Sequence, residues 1–185
     1  MDPPAITRQR RPFLAPVWLS LLAGIVAIVI VILVYQSATT TMVVVVRPVE
    51  KDIGTISDPP LSAEGEEQAQ RLARMFGEGS LAGRPSAIFV SDARIAQQTA
   101  APLAERLGVH PIVVPASQQA ATVDRALHEY EGKTVLIIGT GDTVPALLHE
   151  LDGGDVPVAQ DTGYDALFVV GVPTFGSPNV VRLRY

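Results

Sequence analysis

Thr41-Met42-Val43-Val44-Val45-Val46-Arg47-Pro48-Val49-Glu50-Lys51 is the stretch that decides the fold. Five apolar residues in a row, four of them valines, have the pattern of a strand buried on both faces in a mostly parallel sheet. The run stops at Arg47-Pro48. Proline has no amide for a neighbouring strand and drives the residue before it towards an extended backbone. In sheets of this kind, ligands bind in the crevice beyond the carboxyl ends of the strands. An arginine placed there offers a planar five-donor fork to phosphate or carboxylate.

Towards the C-terminus, apolar runs and helical periodicities alternate. Residues 52–61 hold Gly54 and Pro59-Pro60 and read as a loop. Ser62 then caps a predicted helix that runs to Phe76, with Gly77 as its stop and Ala69, Leu72, Ala73 and Phe76 on one face. A strand follows over 87–90, then a helix carrying Ala96, Ala100, Leu103 and Leu107, ended by Gly108. A third strand covers 112–114, and the next helix aligns Val123, Ala126, Leu127 and Tyr130 before Gly132. Residues 135–138 form a fourth strand that leads through Gly139-Thr140-Gly141-Asp142 into a helix with Val144, Leu147, Leu148 and Leu151. Pro145 is tolerable in that helix's first turn. Two closing strands are expected at 166–170 and 180–183, joined by a Pro/Gly turn. The alternation predicts an α/β domain over 41–185, a three-layer α/β/α sandwich with a mainly parallel sheet.

Towards the N-terminus, residues 13–35 carry no charged side chain. A hydrocarbon core of about 30 Å takes about 20 such residues as a helix. Trp18 and Tyr35 stand near the two ends, where amphipathic rings favour the headgroup level. A cleaved signal peptide has a shorter apolar region ending at a small-residue site, and Gln36-Ser37-Ala38 matches that poorly. One transmembrane helix acting as a signal anchor is therefore expected at 13–35. A cytoplasmic tail of residues 1–12 precedes it, and a linker of residues 36–40 follows. Arg8, Arg10 and Arg11 precede the helix, whereas the first base after it is Arg47. The positive-inside rule then places the N-terminus in the cytoplasm and the domain on the other side, in the periplasm if the cell is bacterial. The chain has no cysteine, so no disulfide supports the fold. Without Asp2, Arg8, Arg10 and Arg11, the totals of 14 basic and 19 acidic residues fall to 11 and 18, a formal −7. With no basic stripe, the domain is not built for nucleic acid or for anionic lipid.

Four stretches, in order, resemble the histidine phosphatase (phosphoglycerate mutase-like) superfamily. The strand into Arg47-Pro48-Val49-Glu50 resembles that family's opening, a hydrophobic strand running into Arg-His-Gly/Ala-Glu. Asp58-Pro59-Pro60-Leu61-Ser62 with Glu64-Gly65 is similar to its Pro-Leu-Ser/Thr-x-x-Gly helix start. Ser91 to Ala100 resembles Ser-x-x-x-Arg-Ala-x-Gln-Thr-Ala, and Val135 to Thr143 resembles the Val-Gly-His-Ser-Asn-Thr stretch. Residues 164–170 fit the small membrane- or envelope-associated branch. The resemblance implies a phosphoglycerate mutase-like fold in a degenerate member that lacks the catalytic histidines. In the family a His attacks phosphorus, and two Arg and a second His surround the phosphoryl oxygens. The lost catalytic positions are Pro48 for the nucleophile, Ile95 for the second Arg and Thr140 for the second His. Arg47 remains, with Arg94 one residue early, about 100° around a helix.

Arg47, Arg94 and Thr140 are thus the expected vestigial phosphate-binding residues, and Glu50 and Asp142 the candidate partners of Arg47. His110, His128 and His149 read as solvated surface residues, and no metal or other cofactor is implied. The Gly139-Thr140-Gly141 run is a tight turn rather than a dinucleotide loop, since the third glycine position is Val144. Glu64, Glu66 and Glu67 suit a helix N-terminus through its dipole, without a metal. Three functional readings follow. One is a catalytically inactive binding or scaffold module with a weak phosphate or other anionic ligand and a protein partner. Another is a phosphohydrolase with a rebuilt site. The third is a structural envelope domain whose pocket is closed by Val49 and Ile95.

Overall fold

The computed structural model describes residues 15–47, 58–79, 82–141, 143–152, 166–174 and 176–184. The chain divides into two units, Met1–Tyr35 and Gln36–Tyr185. Helix α1, Ala15–Ala38, begins in the first. Its segment Val17–Tyr35 has a mean hydropathy of 3.1 and none of it is buried. Leu19, Leu21, Leu22 and Val31 are all exposed and point out of it on different sides, so it is apolar all round rather than along one stripe. Its 19 residues span about 28 Å at about 1.5 Å each, enough to cross a hydrocarbon core.

The second unit runs β1 (Thr41–Val46), α2 (Ala63–Gly77), β2 (Ala87–Ser91), α3 (Arg94–Leu107) and β3 (Ile112–Val114). A 3-10 turn (Ala116–Gln118), α4 (Gln119–Glu129), β4 (Thr134–Ile138), α5 (Thr143–Asp152), β5 (Ala166–Val172) and β6 (Asn179–Arg184) complete it. The strands form one sheet in the order β3-β2-β4-β1-β5-β6. β1 and β2 both pair with β4 in parallel, and β3 pairs with β2 in parallel. β5 and β6 close the sheet as an antiparallel hairpin beside β1.

The valine run explains the three layers. Val43 and Val45 pack with Val123, Ala126, Leu147 and Leu148 of α4 and α5 on one face. Val44 and Val46 pack with Leu72, Phe76, Ala100 and Leu103 of α2 and α3 on the other. All four valines are fully buried, each worth about 1.5–3 kcal/mol of transfer free energy. A strand between two helical layers has no solvent face, which is why its sequence does not alternate.

Several glycines work differently from the sequence expectation. Ser62 caps α2 as expected, its hydroxyl accepting the Gly65 N–H at 3.0 Å. Gly77, however, does not stop the helix, which ends on Glu78 in a right-handed conformation. A Cβ at Gly77 would stand 2.1 Å from Cδ of Arg106, so this glycine lets α3 pass close by. Gly108 does end α3, in the left-handed region at φ 67°. Gly132, at φ 68°, lies three residues beyond α4 and makes the turn into β4, its N–H donating to the Thr41 hydroxyl at 3.0 Å.

Candidate functional site

β1 and β4 stop together. Val46 pairs with Ile138, and the Gly139 N–H donates to the Val46 carbonyl at 3.2 Å, so Arg47 and the β4–α5 turn leave the sheet at the same level. Two threonines close that turn. The Thr140 carbonyl accepts from the N–H groups of Thr143 and Val144, each at 3.1 Å. In return the Thr143 hydroxyl accepts the Thr140 N–H at 2.6 Å and lies 3.1 Å from the Thr140 hydroxyl. The turn is thus closed reciprocally, backbone to backbone in one direction and backbone to the Thr143 hydroxyl in the other. Pro145 has no N–H to give the Gly141 carbonyl four residues earlier, so the helical bonding begun by the Val144 N–H skips one position there.

The turn therefore consumes most of its own donors. The amides of Gly139, Thr140 and Thr143 are all bonded within the protein, and the Thr140 hydroxyl faces that of Thr143. Among the described residues of the turn, Gly141 alone contributes an amide with no protein acceptor, and it is exposed. The guanidinium of Arg47 lies against this residue. An ideal Cβ on Gly141 would be 3.1 Å from Nη2 and 3.6 Å from both Cζ and Nε. Position 47 continues the alternation of Val43 and Val45, so the side chain leaves on the α5 side of the sheet.

The neighbouring rim, where β2 runs into α3, is tied up differently. The Asp58 carboxylate accepts the Arg94 N–H at 3.0 Å and supplies a cap to α3, whose own N-cap, Ala93, has no side-chain acceptor. An anionic group thus already sits at this helix N-terminus, where the dipole favours it. The Leu61 N–H donates to the Gln98 side-chain carbonyl at 2.9 Å, and the Gln97 amide donates to the Asp92 carbonyl at 3.0 Å. Ile95 is half-buried against Leu61 and Ala69. Gln68 Oε1 and Ser91 Oγ are buried here without partners, although most buried polar atoms are paired.

The structure brings Arg47 together with the turn that contains Thr140, and leaves Arg94 exposed at the start of α3. Pro48, Val49, Glu50 and Asp142 lie outside the described residues, so the two candidate partners of Arg47 are not placed. His110, His128 and His149 are exposed. They sit between α3 and β3, in the last turn of α4 and in the second half of α5. Because these helices run back against the parallel strands, all three lie away from the rim. His128 Nδ1 donates to the Asp124 carbonyl at 2.8 Å. Among the described residues no group of three or more His, Asp or Glu side chains is placed to hold a metal. The sequence reading missed the Asp58 cap and the seat at Gly141. The Thr140-x-x-Thr143 spacing signalled the capped turn, but nothing in sequence marks a glycine that faces an arginine across strands.

The sequence profile of the histidine phosphatase superfamily (branch 1) matches residues 45–118, from the end of β1 to the turn before α4. The protein histidine phosphatase SixA, solved with tungstate, superposes with a TM-score of 0.63 at 20% identity, over 77% of this chain and 96% of that one. This is a histidine phosphatase fold. A mycobacterial glucosyl-3-phosphoglycerate phosphatase superposes equally well, at a TM-score of 0.63 and 18% identity, over 79% of this chain and 98% of its own. The same enzyme solved with inorganic phosphate gives 0.55 at 17% identity, over 80% and 97%. No curated protein matches the chain. Family match and fold agree, and the part of the chain with the histidine phosphatase-like fold belongs to the unit that follows the apolar helix.

Proposed function

We propose that the protein is a single-pass membrane protein whose histidine phosphatase domain has no phosphatase activity and serves as a binding or scaffold module with a weak anion site. In this reading residues 1–12 are a cytoplasmic tail, 13–35 the membrane span, 36–40 a linker and 41–185 an extracytoplasmic domain. One observation carries the inactive reading. The strand end that delivers Arg47 is followed by Pro48, so the position where the family keeps its nucleophile has no imidazole. Two others support it. Ile95 packs against Leu61 and Ala69 instead of presenting a cation, and the Thr140 hydroxyl is engaged with Thr143. A hydrogen bond to a charged group is worth about 1.5–3 kcal/mol, so losing three such groups weakens phosphate binding by several powers of ten. Losing the nucleophile also removes the covalent path. What persists at the rim is Arg47 beside the Gly141 amide, enough for a millimolar site of about −4 kcal/mol.

The test is turnover by the full-length chain in detergent. The inactive reading expects no phosphate release from generic monoesters above a heat-killed control, and no acid-labile phosphate on the protein. Turnover abolished by Arg47→Ala would instead establish the second reading, a phosphohydrolase with a rebuilt site. That second reading draws on the superposed structures being phosphatases. For the membrane arrangement, protease added to intact cells or spheroplasts should reach the C-terminal domain. Protection of the domain with cleavage in residues 1–12 would reverse the orientation.

A further inference from the structure

We infer that Gly141 is a positioning residue for Arg47: the absence of a side chain at position 141 sets where the guanidinium rests at the rim. This rests on the reading of Arg47 as the anion ligand.

The argument starts from what constrains each glycine. Gly141 does not have the positive φ that only glycine adopts easily, so its backbone accepts other residues. The three atoms nearest to a Cβ there are Nη2, Cζ and Nε of Arg47, at 3.1, 3.6 and 3.6 Å. Gly139, two residues earlier, is constrained differently: its Cβ would meet Thr143, Leu147 and Val144, the packing of α5 itself. At position 141 the first thing a methyl group meets is the guanidinium. A methyl displaces that fork by a few tenths of an ångström, and a branched side chain displaces it further. Directional hydrogen bonds from a charged planar fork depend on such placement. The adjacent Gly141 N–H, with no acceptor among the described residues, stays where it is when the fork moves. Substitution at 141 therefore separates two donors that now stand side by side. Arg47 does not have to be without other partners for this to hold, because only its distance from the turn changes.

The experiment uses the full-length chain in detergent micelles with inorganic phosphate as the probe. The readouts are the Arg47 Nε–Hε resonance, assigned by its loss in Arg47→Lys, and the calorimetric melting midpoint. In Gly141→Ala without phosphate, the Arg47 resonance should move while the midpoint holds. The phosphate Kd should rise about three- to tenfold, about 0.7–1.4 kcal/mol, less than the loss of a whole charged hydrogen bond. Gly141→Val should exceed both effects. An Arg47 resonance unmoved by either substitution overturns the inference, as does a phosphate Kd unchanged in Gly141→Val. If phosphate shifts nothing in the natural chain, the anion reading fails, and the ligand-free resonance still decides the positioning role. If Gly141→Ala lowers the midpoint, the double variant Arg47→Ala/Gly141→Ala should melt with Arg47→Ala alone. A loss that persists there places the clash on the backbone and overturns the inference.

Discussion

Two strand ends stand side by side on one rim of the sheet, and they use their polar groups in opposite ways. Where β1 and β4 stop, a guanidinium lies against a glycine, and an exposed amide next to it has no acceptor. Where β2 stops, the Asp58 carboxylate, the Gln98 side chain and the half-buried Ile95 tie the start of α2 to α3, and the Gln97 amide closes the β2–α3 turn on Asp92. The first region sets a guanidinium against a glycine, and the second converts its groups into a joint. The cation survives where it hangs on a strand end, because the strand's place is fixed by valines buried in both layers. On the helix side, Ile95 packs against Leu61 and Ala69.

The largest test of this contrast concerns how tightly the β4 turn is packed. Gly139 is buried, and a Cβ there would be 2.7 Å from the Thr143 hydroxyl oxygen, 3.2 Å from Leu147 Cδ1 and 3.3 Å from Val144 Cγ2. Gly139→Val should cost about 1–3 kcal/mol by overpacking. Calorimetry would read this as a fall of about 2–4 °C per kcal/mol in a domain of this size. An unmoved midpoint would mean that the turn gives way easily. Arg47 would then have no rigid surface to rest on.

Ile95→Ala comes next, at about 1–2 kcal/mol, the low end for a buried isoleucine because the side chain is partly exposed. Its phosphate Kd should match that of the natural chain, whereas Arg47→Ala should abolish phosphate binding. If Ile95→Ala alters phosphate binding as much as it alters stability, the β2 rim is still part of a site, and the division between the two regions fails.

How much of this was legible in the chain follows the same division. The Met42–Val46 run, the 3.6-residue stripes of the helices and the cap at Ser62 are local signals, and the three-layer sandwich followed from them. Arg47 at a strand end was legible too, because Arg47-Pro48 breaks an apolar run. Gly77 was misread because a glycine near the end of a helical stripe looks like a stop. Its actual reason, the passage of Arg106, lies 29 positions away in sequence. Asp58 capping α3 and Gly141 seating Arg47 are likewise contacts between elements that only the sheet order brings together. The loop donors expected of Thr140 were overcounted, since Thr143 answers them from within the turn.

A smaller effect is expected from Asp58→Ala. The carboxylate replaces a missing cap on α3, and removing such a cap costs about 0.5–1 kcal/mol when the group is exposed. Asp58→Asn keeps an acceptor oxygen and should lose less. Amide exchange at Arg94 and Ile95 is the sensitive readout. Faster exchange at these two in Asp58→Ala, without a change at Thr140, would sharpen the contrast. Equal acceleration at both rims would show that the two strand ends are one cooperative unit.

The smallest expected effect is at Gly77, far along the α2–α3 contact from either rim. On distance alone it looks worse than Gly139, because a Cβ would come within 2.1 Å of Arg106 Cδ and 3.0 Å of Cγ. The atoms it meets decide otherwise. They belong to the stem of an Arg106 side chain that is 43% exposed, paired with Glu78 at 3.8 Å on the surface. Such a pair contributes about 0–1 kcal/mol, and the stem can swing away. Alanine meanwhile gains up to about 1 kcal/mol over glycine in a helix, though less in a last turn. The two effects offset, so Gly77→Ala should move stability by no more than about 0.5 kcal/mol in either direction. A loss beyond about 1 kcal/mol, the size of a lost helix cap, would mean that Arg106 is held as firmly as the side chains around Gly139. The α2–α3 joint would then be rigid along its whole length, and the rim where β2 ends would be only its last turn rather than a region reworked on its own.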